Sequence, residues 1–370
     1  MKIIVTKTNI KNILGALDRT HTKTSHLPIL KNFLFDVSDH EINLTVTDLE
    51  IAATFRVNGK IIEKGRLTAP IKIFSNLIQN INSERIHIEK KNTTLYVKTE
   101  NYEANIQGLP AEEYPLIPKI KNKTHQIVVS QDTFREALEQ TIIATQSTEL
   151  HPELNSVLFD FSPDAIRCTG TDSFRLAEKT IQKNQFTSSF EENFQILIPI
   201  KTIRELLFVL GEKEKIEIFK DEHQVFFKTE SIEIISRLIE GTFPEYKKIT
   251  PKEFSSELLL DKEELTRAVK LTGVLSGQTN EIKMKVLGGK KAVEISSLQH
   301  TVGENKYLLP AKIKGQEKEI GFNWRYLLDG LRALKTESVF FGINEEHKPA
   351  LIKSPGDASY YYILMPILKI

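Results

Sequence analysis

Cysteine is almost missing from these 370 residues: Cys168 is the only one, and there is one tryptophan and three methionines. A single thiol excludes an intrachain disulfide and a thiolate-rich metal site. No apolar run approaches the roughly 20 residues that a membrane helix needs. The start, MKIIVTKTNI, has no apolar core followed by a small-residue cleavage site, so no signal peptide is expected and the chain reads as cytoplasmic. Neither charge dominates. Fifty Lys and Arg face 49 Asp and Glu, for a net +1, which excludes a histone-like polycation but leaves room for one basic face.

Catalytic signatures are missing too. There is no G-x-x-x-x-G-K-[ST], no G-x-G-x-x-G opening a helix, and no H-E-x-x-H, C-x-x-C or G-x-S-x-G. Gly288-Gly289-Lys290-Lys291 lacks the upstream glycine and the hydroxyl residue of a phosphate loop. His21 and His26 form the closest histidine pair, without a third ligand nearby. No cofactor, no metal and no catalytic residue is expected. Asp48 and Asp172 could pass for paired acid–base carboxylates, but they occupy matching places 124 residues apart in a repeat. Turns in which each Asp bonds its own backbone explain them better.

That repeat is what the sequence does contain. At 40% apolar and 27% charged residues the composition is globular, and the length predicts two or three domains. Three families of segments recur at 123–131-residue spacing. The first is an amphipathic helix: Ile10, Ile13, Leu14 and Leu17 after Thr8; Phe134, Leu138 and Thr141 after Ser130; Leu265, Ala268 and Val269 after Asp261, with Glu264 completing a capping box. The second is a strand pair ending in a Thr-Asp turn, at residues 27–50 and 152–178, with a blurred third copy at 280–300. The third is a helix followed by a two-strand meander, starting near Pro70, Pro199 and Phe322. The segments LPAEEYP (109–115) and GTFPEY (241–246) close the first two copies alike. Three similar α+β domains follow, at 1–120, 121–250 and 251–370, each reading helix, strands, helix, strands.

Five stretches then carry a resemblance: LPILKNFLFDVSDHEINLTVTDLEIAATFRV (27–57), TGTDSFRLAE (169–178), LIEGTFPEYKKITP (238–251), IGFNWRYLLDGLRAL (320–334) and the ending YYYILMPILKI. In this order they resemble the bacterial DNA polymerase III beta subunit, the sliding clamp. The resemblance implies three DNA-clamp domains, each with two helices packed on β-sheets. It further implies a head-to-tail ring homodimer with helices lining the hole around double-stranded DNA. Such a protein tethers replicative polymerase without chemistry of its own and without reading sequence. Its implied partners are the polymerase III alpha subunit, the clamp-loader complex and other proteins with a clamp-binding motif. No membrane is involved.

A ring that slides must attract phosphates without touching base edges, so its helices need Lys and Arg. The six proposed helices supply Lys7 and Lys11, Lys72, Arg135, Lys201 and Arg204, Arg267 and Lys270, Arg325 and Arg332. The resemblance places DNA contacts at Lys23, Thr24, Lys72, Thr148, Pro152 and Glu153, with Lys201 and Arg204 beside them. It builds a partner-peptide groove from Leu154, Thr171, Ser173, Phe174, Arg175, Leu176, Pro244, Lys248 and Ile249. The C-terminal residues Ile363, Met365, Pro366, Ile367 and Leu368 complete that groove. It puts Ala104 and Ile106 opposite Val274 and Leu275 of a second chain. Phe174, Ser173 and Leu368 stand where relatives often have other residues. Two other classes compete: a monomeric α+β enzyme with an inter-domain site using Asp172 and Arg175, and a structural homo-oligomer without a DNA partner.

Overall fold

The computed structural model describes residues 1–20, 27–120, 125–146, 150–211 and 214–368. Lys23, Thr24 and Thr148 lie outside the described residues. The first third contains β1 (Lys2–Thr6), α1 (Lys7–Thr20), β2 (Asn32–Val37), β3 (Ile42–Thr47), β4 (Ile51–Val57), β5 (Gly59–Glu63), β6 (Gly65–Pro70), α2 (Ile71–Asn80), β7 (Arg85–Lys91), β8 (Thr94–Lys98) and β9 (Glu103–Gln107). The middle third follows with β10 (Ile127–Ser130), α3 (Gln131–Ile142), β11 (Ser156–Ser162), β12 (Ala165–Thr171), β13 (Arg175–Gln182), β14 (Phe186–Ser188), β15 (Phe194–Pro199), α4 (Ile200–Val209), β16 (Lys215–Lys220), β17 (Gln224–Lys228) and β18 (Ile232–Arg237). The last third has β19 (Ser256–Asp261), α5 (Lys262–Gly273), β20 (Glu281–Leu287), β21 (Ala292–Gln299), β22 (Gly303–Pro310), β23 (Lys312–Gly315), β24 (Glu319–Asn323), α6 (Trp324–Ala333), β25 (Ser338–Ile343), β26 (Ala350–Lys353) and β27 (Tyr360–Leu364).

Among the described residues each third thus has nine strands and two helices in one order, so the expected repeat holds throughout. Every strand n has its counterpart at n+9. Sheet order obeys the same rule: β5-β1-β7-β8-β9 recurs as β14-β10-β16-β17-β18 and as β23-β19-β25-β26-β27. Likewise β4-β3-β2-β6 recurs as β13-β12-β11-β15 and β22-β21-β20-β24. These sheets are antiparallel.

Two of the joins are continuous. β4 pairs with β18, from Ile51↔Ser236 to Phe55↔Ile232, making one nine-stranded sheet. β13 pairs with β27, from Arg175↔Leu364 to Lys179↔Tyr360, making a second. The chain accordingly divides into two compact units through its middle third. One holds Met1–Asp132, Phe186–Glu191 and Lys201–Leu238; the other holds Thr133–Gln185, Glu192–Ile200 and Ile239–Ile370.

Local chemistry sets the helices. Asp261 caps α5, its carboxylate accepting from Glu264 N–H at 2.8 Å, the bond expected of a capping box. α1 begins at Lys7, one residue ahead of Thr8, and the Thr6 hydroxyl accepts from Asn9 N–H at 3.2 Å. Ile10, Leu14 and Leu17 bury one face of α1, with Ile13 half-buried at its margin. Leu265, Ala268, Val269 and Thr272 do the same for α5.

The first residue of the first helix has a further task in all three copies. Lys7 Nζ donates to the carbonyls of Gln79 and Ile81 at 3.2 and 2.5 Å, closing the end of α2. Lys262 Nζ donates to Leu334 O at 2.5 Å past α6, and Gln131 Oε1 accepts from Gly211 N–H at 2.7 Å past α4. The two lysines meet carbonyls that a helix end leaves unsatisfied and complement the negative end of the dipole, while Gln131 holds the N–H of the residue that follows α4. No helix among the described residues is long and apolar enough to cross a membrane.

Candidate functional site

The two Thr-Asp turns are one structure built twice. In the first, Asp48 Oδ1 accepts from Glu50 and Ile51 N–H at 3.0 and 2.9 Å, while the Thr47 hydroxyl donates to Ile51 O at 2.9 Å and accepts from Leu49 N–H at 3.0 Å. In the second, Asp172 Oδ1 accepts from Phe174 and Arg175 N–H at 3.0 Å each. Thr171 donates to Arg175 O at 2.7 Å and accepts from Ser173 N–H at 3.2 Å. These bonds hold Leu49 at φ 79° and Ser173 at φ 75°, a region that side chains rarely enter. The third copy passes from β21 to β22 with His300 where the aspartate stood, and Val302 N–H simply donates to Gln299 O at 2.9 Å.

The second oxygen of each aspartate faces a cation. Asp48 Oδ2 meets the Lys201 ammonium from the first turn of α4, and burial holds that ammonium below the usual lysine pKa. Asp172 Oδ2 accepts from Arg175 Nε at 3.0 Å, and Arg175 Nη1 reaches Asp329 of α6 at 2.6 Å while lying over the Tyr326 ring. Burial alone would lower the Arg175 pKa, but the Tyr362 hydroxyl, Asp172 and Asp329 outweigh it and raise the value. These side chains are occupied by structure. Neither aspartate has the freedom of an acid–base group.

Beside the second turn the sheet carries a buried apolar cluster. Its floor is one row across the sheet: Thr171↔Leu176, Leu176↔Ile363 and Leu351↔Ile363. Leu176, Ile363 and Leu351 are buried together with Phe243 and Tyr246 from the connector that leads into the last third. Phe174, Ile249 and Leu368 stand at the rim, exposed by 59%, 54% and 62%; Pro244 and Lys248 are exposed beside them, with Lys248 paired to Glu245. The tail runs on past β27. Met365 N–H donates to Phe174 O at 2.9 Å and Ile367 N–H to Gly321 O at 2.8 Å, with Met365 and Ile367 half-buried and Pro366 buried. Leu154 is buried in the short 3-10 turn Pro152–Leu154, outside that cluster.

The first third has the corresponding place in a different dress. Arg237 N–H donates to Glu50 O at 2.9 Å, matching Met365 on Phe174. Its floor row is Thr47↔Ala52 and Ala52↔Ile235, so a methyl replaces the leucyl group. Charged Glu50 and Arg237 stand where the second copy has Phe174 and Met365.

Of the ten expected helix cations, several are tied down. Lys7 closes α2, Lys201 meets Asp48, and Arg135 pairs with Glu139 at 2.9 Å. Arg267 faces Glu264 at 3.7 Å, Arg332 faces Asp329 at 3.5 Å, and Arg325 Nε donates to Asn280 at 3.0 Å. Lys11, Lys72, Arg204 and Lys270 are exposed and have no ion-pair partner among the described residues. Pro152 is exposed, and Glu153 lies 3.3 Å from the His151 ring. Among the described residues no three His, Cys, Asp or Glu side chains gather as metal ligands.

Among the described residues the four sheets end in eight edge strands, of which two concern the expected joint. β9 ends the sheet of the first third and β22 ends that of the last. Ala104 is half-buried on β9, but Ile106 turns into its own core at 5% exposure, opposite Leu95. Val274 follows the end of α5 with 74% of its surface exposed, and Leu275 beyond it is half-buried. Leu271, Leu298, Val302 and Leu308 are further exposed large apolar side chains of the last third, Leu308 on β22 itself.

Comparison with known proteins covers the whole chain. Family models described as the N-terminal, central and C-terminal domains of the DNA polymerase III beta subunit match residues 1–118, 128–245 and 247–368. A protein named beta sliding clamp from Staphylococcus aureus is 29% identical over 355 residues, 92% of each chain. One of the same name from Synechococcus elongatus is 25% identical over 374 residues, 99% of each. The fold superposes on the crystal structure of the DNA polymerase sliding clamp from Bacillus subtilis with TM-score 0.94 at 24% identity, covering both chains fully.

Proposed function

Since the chain belongs to the DNA polymerase III beta subunit family, we propose a division of labour among its surfaces, starting from its role as a sliding clamp of DNA replication. It is an accessory subunit of the polymerase and not itself an enzyme. Three domains, at 1–120, 121–250 and 251–370, carry three separate contacts in the cytoplasm.

The subunit joint rests on one observation. Within the chain each junction pairs strand n with strand n+14, β4 with β18 and β13 with β27. The next term is β22, whose partner is the β9 of a second copy. Both are bare edges, and unpaired edges invite a strand. Val274 and Leu275, with exposed Leu271 and Val302, flank β22 and add apolar contact to this backbone pairing; Ala104 and Ile106 belong to the β9 side. Repeating the joint at both ends closes two chains head to tail.

DNA is held by helix cations that have no ion-pair partner among the described residues, foremost Lys72 and Arg204, with Lys11 and Lys270. Lys201 joins only when it leaves Asp48. Lys23, Thr24, Thr148, Pro152 and Glu153 are further contacts on the strength of the resemblance. The lysines and the arginine would act on phosphates, so binding weakens steeply with salt and ignores sequence.

The surface over the apolar cluster beside Phe174 takes the apolar anchors of short peptides from the polymerase III alpha subunit, the clamp loader and other clamp-binding proteins. Its leucine floor and apolar rim favour it over the first-third counterpart with Ala52, Glu50 and Arg237. The decisive experiment is retention on circular and linearised plasmid after loading, alongside mass in solution. Loss from linear but not circular DNA by a species of about twice 42.3 kDa supports the reading; equal retention on both would sink it. For the groove, Met365→Ala with Pro366→Ala should melt normally and lose a fluorescent alpha-subunit peptide, whereas unchanged affinity would move the site elsewhere.

A further inference from the structure

Glu178 lies on β13, 7% exposed, in the row next to the groove floor. That row runs Thr169↔Glu178 and Glu178↔Tyr361. Its carboxylate accepts from the Tyr246 hydroxyl at 2.5 Å, and the Thr169 hydroxyl donates to the same tyrosine oxygen at 3.2 Å. Burial, and then the Glu178 carboxylate, hold the hydroxyls of both Tyr246 and Tyr361 above the ordinary tyrosine pKa, so both remain donors. A buried carboxylate is costly unless it is hydrogen-bonded, and here the Tyr246 hydroxyl provides that bond.

Tyr246 in turn organises the connector. Its carbonyl accepts from Ile249 N–H at 3.1 Å, Thr250 N–H at 3.2 Å and the Thr250 hydroxyl at 3.1 Å, and its N–H donates to Pro244 O at 2.7 Å. Pro244, Lys248 and Ile249 all belong to this short turn. The connector wall of the groove is therefore folded around one residue whose side chain is fastened to Glu178.

The duplicated half of the molecule provides the contrast. In the first third the matching tyrosine, Tyr114, donates to a backbone carbonyl, Thr45 O, at 3.0 Å. The place of Glu178 is taken by Thr54, whose hydroxyl bonds that of Thr45 at 3.0 Å. A fold of this kind therefore closes without a buried acid. The acid is added only where the apolar floor lies.

We infer that Glu178 is a positioning residue for partner binding: through Tyr246 it fixes the connector wall over the Leu176–Ile363 floor. This rests on the groove reading above, and the controls separate the two. The probe is a fluorescein-labelled peptide carrying the clamp-binding motif of the polymerase III alpha subunit, titrated into the full-length dimer. Glu178→Thr, which installs the first-third residue, and Tyr246→Phe should each weaken binding roughly tenfold, the scale of one hydrogen bond to a charged group. The double variant should be no weaker than the worse single one, since both remove the same link. Glu178→Gln keeps an acceptor for Tyr246 and should rescue binding to within about twofold. Dimer mass and plasmid retention should not change. If Met365→Ala with Pro366→Ala binds as wild type, the groove reading itself fails. If that pair abolishes binding while folded Glu178→Thr or Tyr246→Phe binds as wild type, the positioning role is overturned. Loss in Glu178→Gln as deep as in Glu178→Thr also overturns it. Should Glu178→Thr not fold, Tyr246→Phe alone decides by the same criterion.

Discussion

Lys201 and Asp48 are 153 residues apart in sequence and in direct ionic contact, the lysine half-exposed and the carboxylate buried. The pairing neutralises a cation that is proposed, with Lys72 and Arg204, to meet DNA phosphates. Asp48→Asn should keep the turn, since its amide oxygen still accepts from Glu50 and Ile51, while releasing Lys201. Log affinity for short duplex DNA against log salt should then steepen by about one charge. Lys72→Glu with Arg204→Glu should flatten the slope and weaken retention, leaving the dimer intact. An Asp48→Asn slope identical to wild type would place Lys201 away from the phosphates.

At the proposed subunit joint, Val274→Asp should give folded monomers. The side chain is exposed in the free chain, so a carboxylate there does not disturb folding, yet in an apolar interface it costs several kcal/mol unless paired, by roughly the scale known for unpaired buried charges. Sedimentation velocity distinguishes the outcomes, and a dimer at micromolar concentration would refute the placement.

Acid should unfasten α3. Glu136 receives Lys179 and Lys335 at 2.9 Å each; burial works against its charged form, and the two ammonium groups outweigh it, lowering the pKa. A carboxyl depressed on folding adds stability that is complete above its unfolded value and disappears as pH falls through the folded one. Glu136→Gln should therefore cost roughly 1–3 kcal/mol at neutral pH, mostly by leaving Lys179 unpaired. The gap between variant and wild type, followed by urea melts, should shrink on acidification below the ordinary carboxylate range. A gap constant from pH 7 to pH 3 would contradict this.

The lone thiol should be silent. Burial, then the Glu178 carboxylate, push the Cys168 pKa up to about 12, so the thiol stays protonated at neutral pH. Ellman's reagent should react with one equivalent in guanidinium and with none in native buffer within an hour. Rapid native labelling would mean that β12 opens readily.

How much of this could be read beforehand depended on sequence distance. The helices and the Thr-Asp turns were legible because periodicity and Asp-to-backbone bonds are local. The blurred third copy was legible for the same reason, since it lacks the Thr-Asp pair that makes the turn. Contacts across 72 residues or more were not: Lys7 reads as a helix cation, yet closes the end of α2, and Lys201 reads as free. Ile106 looks like interface by position, but the alternation of β9 sends it inward. Glu178 carried no signal at all, because its meaning lies in a tyrosine 68 residues away.

The third turn lacks the aspartate that meets Lys201 from the first. Lys72, Lys201 and Arg325 are the second residues of α2, α4 and α6. At the first joint the turn of the preceding domain supplies Asp48 against Lys201. At the second, Asp172 of the turn holds Arg175, which reaches on to Asp329 of the following helix. At the joint between chains the turn would offer His300, which brings no anion. A lysine without an ion-pair partner among the described residues can take a counterion from a nucleic acid, and at the proposed joint between chains no aspartate of the turn would compete for it. Restoring the acid with His300→Asp would turn that joint into a copy of the other two, and a ring that still closed would be expected to hold DNA more loosely.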